Sequence, residues 1–293
     1  MRKLILSFIL LFSVWHAYAS NVDVAATYIY SSDYNQAKVG AAVPLGINAV
    51  VGLEGKYIED KKTSYLEDPS YSVYLPLQLD LDLIKVNLAP FYYFKNQYKT
   101  GNFQDPYAYG VQGQLIMNLQ VDEVEELYTQ AYLGASFARQ KGVLTQDGIA
   151  EDANYSQLAY TLGIRRNFFS AFTFHISATA YQYPNGISNV QSFWGIMDQN
   201  DLAFTQSFDV SRQLGKYVLS ARMTRIWTEE RSTLYAGYHF AEFYTDDPQH
   251  SILLGNSFHV APNAKIDAAY NHLQTTDGKN KRDIFFVNLN IAF

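Results

Sequence analysis

The 293-residue chain has no cysteine, so neither a disulfide framework nor a thiolate metal site can organise it. That is compatible with an oxidising compartment, because a domain of this size needs no disulfides. Charged residues make up only 17% of the chain, net charge is −6, and no dense cluster of Lys and Arg occurs. These features argue against nucleic-acid binding by phosphate neutralisation. After the first twenty residues no apolar run approaches the ~18 that mark a transmembrane helix. There is also no Gly-rich phosphate loop, no GxSxG and no CxxC. What the chain does have is aromatic residues: 16% of the total, with 24 Tyr against 3 Trp.

The N-terminus reads as an export signal. Arg2 and Lys3 precede the apolar run Leu4 to Val14, and Ala17-Tyr18-Ala19 forms a small-residue cleavage site. The run is too short to span a bilayer as a helix. Residue 20 is Ser, which speaks against lipoprotein processing at a cysteine. Residues 1–19 are therefore expected to be removed, leaving 20–293 as one domain.

Period-2 alternation recurs through that domain. Val22, Val24, Ala26, Tyr28 and Tyr30 share one face. Tyr71, Val73, Leu75, Leu77 and Leu79 alternate with Ser72, Tyr74, Gln78 and Asp80. Tyr107, Tyr109, Val111, Leu115, Met117 and Leu119 alternate with Ala108, Gly110, Gln112, Gln114 and Asn118. Phe172, Phe174, Ile176, Ala178 and Ala180 alternate with Thr173, His175, Ser177 and Thr179. Such patterning predicts strands, and no helical stretch competes with it.

The last strand is the most informative. Phe285, Val287, Leu289, Ile291 and Phe293 form an oily face, while Asn288 and Asn290 lie opposite. A strand with lipid on one side and water on the other is the unit of a transmembrane β-barrel. This ending resembles the terminal strand of bacterial outer-membrane barrels, in which a final Phe belongs to the signal read by the assembly machinery. The resemblance implies an all-β, antiparallel up-and-down barrel in the outer membrane, exported through the Sec pathway. It also implies contact with outer-membrane lipid and lipopolysaccharide, with both termini on the periplasmic side. A water-soluble β-sandwich would also alternate, but it rarely needs so many long strands.

The connections fall into two classes, as in such barrels. Short ones are Gly46-Ile47-Asn48, the reversal near Asp80-Leu81-Asp82, Arg166-Asn167 and Ala261-Pro262-Asn263. Longer polar ones are Asp60 to Ser70, Asn96 to Asp105, Gln140 to Asp152 and Thr275 to Lys281. Fifteen strands can be counted directly, yet termini on one side require an even number. The ambiguity lies in Pro184 to Arg231. A strand at Ser188 to Ile196 would make 16, and one fewer strand in Asp201 to Trp227 would make 14. About 20 residues are available per strand and connection at 14, and a spanning strand needs roughly 9–11. Fourteen is preferred, with 12 and 16 open. The segment Pro184 to Asn200 is unusually oily for a loop, and Phe193 and Trp194 are candidates for a constriction at the mouth.

With lipid outside, the opposite face would line the lumen. It collects Lys38, Glu54, Lys56, Lys85, Asn87, Gln112, Gln114, Gln157, Arg165, Asp209, Arg222, Asp267, Asn288 and Asn290. Arg or Lys on the lipid face at mid-bilayer would cost roughly 2–4 kcal/mol each. Arg225 and Glu242 fall on the outward face and are expected near strand ends, where that cost vanishes. A barrel of about 14 strands is wider than the eight-strand size that side chains can fill. The architecture resembles a small porin, which implies passive passage of small hydrophilic solutes. Mixed signs of charge predict no sharp ion preference.

A closed barrel that binds a partner through its outer loops is the alternative. An outer-membrane lipid hydrolase that depends on His175 and Ser177 is a third reading, with little support in the residues. His175 and Ser177 stand two apart on one strand face, an arrangement that lumen polarity explains. Glu125, Glu126, Glu229 and Glu230 suit solvated turns. His239, His259 and His272 lack metal-ligand spacing. No catalytic residue, metal or cofactor site is predicted.

Overall fold

The computed structural model describes residues 22–32, 34–60, 69–94, 103–122, 127–146, 149–168, 172–184, 195–196, 210–211, 214–227, 232–244 and 247–293. The expected signal segment lies outside this set, as do Phe193, Trp194 and Asp209 and the acidic pairs Glu125-Glu126 and Glu229-Glu230.

Fourteen antiparallel strands close on themselves. They are β1 (Asp23–Ser31), β2 (Tyr34–Pro44), β3 (Ala49–Asp60), β4 (Ser70–Tyr74 and Leu77–Leu81), β5 (Ile84–Tyr93), β6 (Phe103–Asp122) and β7 (Leu127–Gln146). They continue with β8 (Ile149–Phe168), β9 (Phe172–Gln182), β10 (Gly215–Trp227), β11 (Ser232–Phe243), β12 (Gln249–Ala261), β13 (Ala264–Thr275) and β14 (Lys281–Ala292). Each strand pairs with the next in sequence, and β1 pairs with β14 over nine residue pairs from Asp23↔Ala292 to Ser31↔Ile284. The backbone bonds Val22 N to Phe293 O (3.3 Å) and Phe293 N to Val22 O (2.9 Å) finish that seam.

β4 is one spanning strand in two segments. Leu75-Pro76 interrupts its ladder, yet Tyr71, Val73, Leu75, Leu77 and Leu79 keep a common face across the break. The bonds Gly52 N to Pro76 O (2.7 Å) and Leu75 N to Pro90 O (3.0 Å) carry the connection through.

The parity question has a structural answer. Gly215–Trp227 forms a single spanning strand. Gly195–Ile196 pairs with Val210–Ser211 in a two-residue ladder separate from the barrel sheet. The count of 14 preferred from the sequence is the one observed, and the 12- and 16-strand alternatives fall away.

Two connections were misread from the sequence. Gln140 to Asp152 is not a long loop: β7 and β8 run 20 residues each and stay paired as far as Gln146 opposite Ile149. A 20-residue strand extends about 65 Å, well beyond the ~30 Å hydrocarbon layer. Outside lipid a strand needs no oily outer face, so the polar composition there hides ladder rather than loop. Arg166-Asn167 is not a turn either, because β8 continues to Phe168.

The two faces differ as the alternation requires. Phe285, Val287 and Phe293 are about half exposed, and Leu162, Ile176, Leu219, Ile252 and Leu254 project outward with them. The inward side holds Thr27, Ser177, Thr179, Ser220, Ser251 and Asn271, all buried. Leu254 lies at the middle of β12, so Leu254→Arg should destabilise the barrel by roughly 2–4 kcal/mol. Denaturant titration in lipid vesicles checks this, and an unchanged midpoint would place the outer face wrongly.

Among the connections, the β13–β14 turn is tied by one carboxylate. Asp277 accepts bonds from the Thr275 hydroxyl (2.6 Å) and the Lys279 backbone N–H (3.0 Å), with the Lys279 ammonium 2.9 Å away. The Thr275 hydroxyl bond first, then the Lys279 bonds, lower the Asp277 pKa to about 2. A depressed carboxylate lends stability above the ordinary carboxylate range and loses it as pH falls through the folded value. The carboxyl resonance of Asp277 should therefore titrate near that low value, and a midpoint near the ordinary ~3.9 would show the turn open.

Candidate functional site

The inward face divides into two walls of different character. Around β2 to β5 the acids and bases are paired. Lys38 Nζ lies 3.2 Å from Glu54 Oε2, and Lys56 Nζ lies 3.9 Å from Glu54 Oε1. The Lys56 ammonium also sits 4.2 Å from the centre of the Tyr74 ring. One row along, Lys85 and Asp80 meet at 3.1 Å. Register explains these pairs: Lys38 faces Lys56 across β2 and β3, Gly40 faces Glu54, and Asp80 faces Lys85. Gly40 has no side chain, which lets the Glu54 carboxylate lie between the two lysines.

Aromatic residues join that wall. Tyr74, Phe91 and Tyr93 pack together, with ring centroids 5.3 to 6.1 Å apart, and the Tyr74 and Tyr93 hydroxyls bond at 2.6 Å. Ile29, Ile58, Ala108, Ala138 and Ile284 belong to the same buried cluster. The sequence reading expected amides and charges on this face. A signal for the rings was present, since Tyr74 shares the face of Ser72, and Phe91 and Tyr93 share the parity of Lys85 and Asn87.

The other wall is basic. Arg165 of β8 faces His175 of β9, which faces Arg222 of β10. Three groups that carry or accept positive charge thus stand side by side on neighbouring strands. The Arg222 guanidinium lies over the Tyr235 ring at 4.0 Å, and the Tyr235 hydroxyl donates to Asp267 at 2.5 Å. Gly255 stands opposite Tyr235. A Cβ there would meet the Tyr235 ring at 2.2 Å, so the close approach of that ring requires glycine. Arg165 stacks over Tyr128 at 5.4 Å, and Tyr132 sits edge-on to His175 at the same centroid separation.

Next to this row Ser220 Oγ and His239 Nδ1 bond at 2.9 Å, both buried. No sequence signal marks this pair, because only register brings β10 and β11 opposite one another. Thr161 and Thr179 bond at 2.9 Å, Asn87 donates to Gln114 at 3.3 Å, and Thr27 donates to Asn288 at 2.9 Å. Gln112, Gln114 and Gln157 are buried on the same inward face. His175 and Ser177 both point inward, but His175 has Arg165 and Arg222 as cross-strand neighbours rather than a carboxylate. Among the described residues no group of three His, Asp or Glu is placed to hold a metal ion.

Charges on the outward face lie at strand ends. Arg225, two residues from the end of β10, stacks on Trp227 (4.3 Å) and Phe172 (5.1 Å). Arg166 stacks on Phe168 at 5.3 Å. Glu242 takes the Lys216 ammonium at 2.7 Å near the other rim. Aromatic surroundings are those of an interfacial girdle, where charge costs little.

The two lysine pairs differ in enclosure. Lys56 has 1% of its side chain exposed, whereas Lys85 and Asp80 expose 38% and 45%. Glu54→Gln should cost about 1–3 kcal/mol, as expected on removing one partner of an enclosed pair. Asp80→Asn should cost less than about 1 kcal/mol, because solvent screens an exposed pair. Denaturant midpoints of the two variants check the order, and equal midpoints would show that water reaches Glu54 freely.

No protein-family model and no curated protein matches the sequence. Solved structures do match in fold. CymD, a monoaromatic hydrocarbon channel, shares 9% identity over 93% of this chain and 88% of its own, with a TM-score of 0.54. A Pseudomonas aeruginosa FadL homologue shares 10% over 92% and 89%, with a TM-score of 0.50. CdiB from Acinetobacter baumannii shares 11% over 93% of this chain but only 60% of its own, with a TM-score of 0.51. At such identities the likeness is one of architecture, and that architecture is the closed antiparallel barrel of outer-membrane proteins.

Proposed function

We propose that the chain is a passive channel of the outer membrane, reached through the Sec pathway after removal of residues 1–19. One observation carries this reading. Among the described residues, the inward ion pairs join neighbouring strands or side chains of one wall: β2 with β3, and β4 with β5. These pairs run along one wall and not across the lumen. A 14-strand circumference exceeds what a single layer of side chains fills. Small hydrophilic solutes are the expected cargo. In this reading the outward face of β14, with Phe285, Val287, Leu289, Ile291 and Phe293, meets lipid and lipopolysaccharide and serves the assembly machinery.

A closed, loop-binding barrel is the second reading. It draws on the tight inward cluster at Tyr74, Phe91 and Tyr93, in which Tyr93 is fully buried. Catalysis is not part of either reading. Ser220 and His239 are within bonding distance, but a nucleophile and base also need an orienting partner and an oxyanion site.

Single-channel recording of the refolded chain in a planar bilayer tests the proposal. Discrete conductance steps are expected, and Ser220→Ala should leave them unchanged, with no lipid hydrolysis by either protein. A folded, heat-modifiable barrel without conductance would overturn the channel reading in favour of the closed one. Lipid hydrolysis lost in Ser220→Ala would make the protein an enzyme.

A further inference from the structure

The charges of the inward face are grouped differently on its two sides. Glu54 is held between Lys38 and Lys56, and Asp80 is held by Lys85, all on β2 to β5. Arg165, His175 and Arg222 stand in one row on β8 to β10, across the ring from that wall. Beside this row the His239 ring bonds Ser220. Arg165 and Arg222 flank His175 from either side, with β9 between them. The row has supports that hold it in place. Tyr235 lies under Arg222, and Asp267 anchors the Tyr235 hydroxyl. Tyr128 lies under Arg165, and Tyr132 closes on His175. Gly255 leaves the space that the Tyr235 ring occupies. The two guanidinium groups, one on each side of β9, each present planar N–H donors suited to an anion with two oxygens. The surrounding tyrosines offer flat faces to whatever carries that anion.

We propose that the Arg165–His175–Arg222 row is a recognition station for small carboxylates on an apolar, ring-bearing body. The carboxylate lies between the guanidinium groups, and the body rests against Tyr132 and Tyr235. This deepens the channel reading and rests on it for transport, though not for binding. It also replaces the expectation of indifference to ion sign: Glu54 and Asp80 are held by lysines, and on the other wall Arg165 and Arg222 outnumber Asp267, the acid that reaches Arg222.

The test uses the refolded mature chain with benzoate and its uncharged analogue benzamide as probes. Benzoate should bind in calorimetry and raise the thermal midpoint, whereas benzamide should do neither. Arg165→Gln/Arg222→Gln should weaken benzoate by about tenfold or more, equivalent to about 1.4 kcal/mol. Arg165→Gln alone should give a partial loss, and serves if the double variant fails to fold. Equal affinity for benzoate and benzamide, or undiminished affinity in the variants, would overturn the proposal. In a salt gradient the wild-type reversal potential should favour chloride over potassium, and the variants should lose that preference. Conductance that favours potassium would overturn the station while leaving the channel. Benzoate binding without conductance would overturn the channel while leaving the station.

Discussion

Inside a bilayer no water is available to satisfy a backbone N–H or C=O, and each unsatisfied group costs several kcal/mol. Every other feature of this chain follows from that constraint. The ladder has to be complete, so the first and last strands must meet, and they do through nine residue pairs. Completeness forces an even number of strands when both termini sit at one rim. It also fixes the register all round, because a slip of one residue would turn every oily side chain to the lumen. The inward constellations are products of that register. Ser220 meets His239, and His175 meets Arg165 and Arg222, only because no strand can slide.

The fold was legible in the sequence wherever lipid imposes alternation. β14 shows this most plainly: Phe285, Val287, Leu289 and Ile291 alternate with Phe286, Asn288 and Asn290, and the outward set is the oily one. Legibility ended where lipid ends. The β7–β8 hairpin beyond the membrane carries Arg139, Lys141, Glu151 and Asp152 with no oily face to mark it, so it reads as loop. The inward face was legible in polarity but not in its partnerships. Tyr74, Phe91 and Tyr93 obeyed the alternation yet were aromatic where amides were expected, because the lumen tolerates both kinds of side chain. Cross-strand neighbours such as Ser220 and His239 are invisible to any pattern along a single strand.

The two walls show how a barrel combines stability with a functional surface. Around Glu54 opposite charges sit close together and steady the sheet. On either side of His175 the like charges of Arg165 and Arg222 are braced by tyrosine rings and by the room Gly255 leaves. Proteins carry such locally unfavourable arrangements at sites of function and offset them elsewhere. Here the offset is the continuous hydrogen-bonded ring, which does not depend on the inward face for its integrity.

That ring is not uniform. Proline brings no N–H to a ladder, and Pro76 of the β4 break and Pro90 of β5 lie within one backbone hydrogen bond of each other's strands. Circumference in a barrel is set by cross-strand bonds rather than by a packed centre, so elastic compliance gathers where those bonds are fewest. The wall should stretch first between β4 and β5, next to the Tyr74, Phe91 and Tyr93 cluster. A local dilation of that kind would widen the aromatic side of the lumen while the Arg165 to Arg222 side keeps its shape.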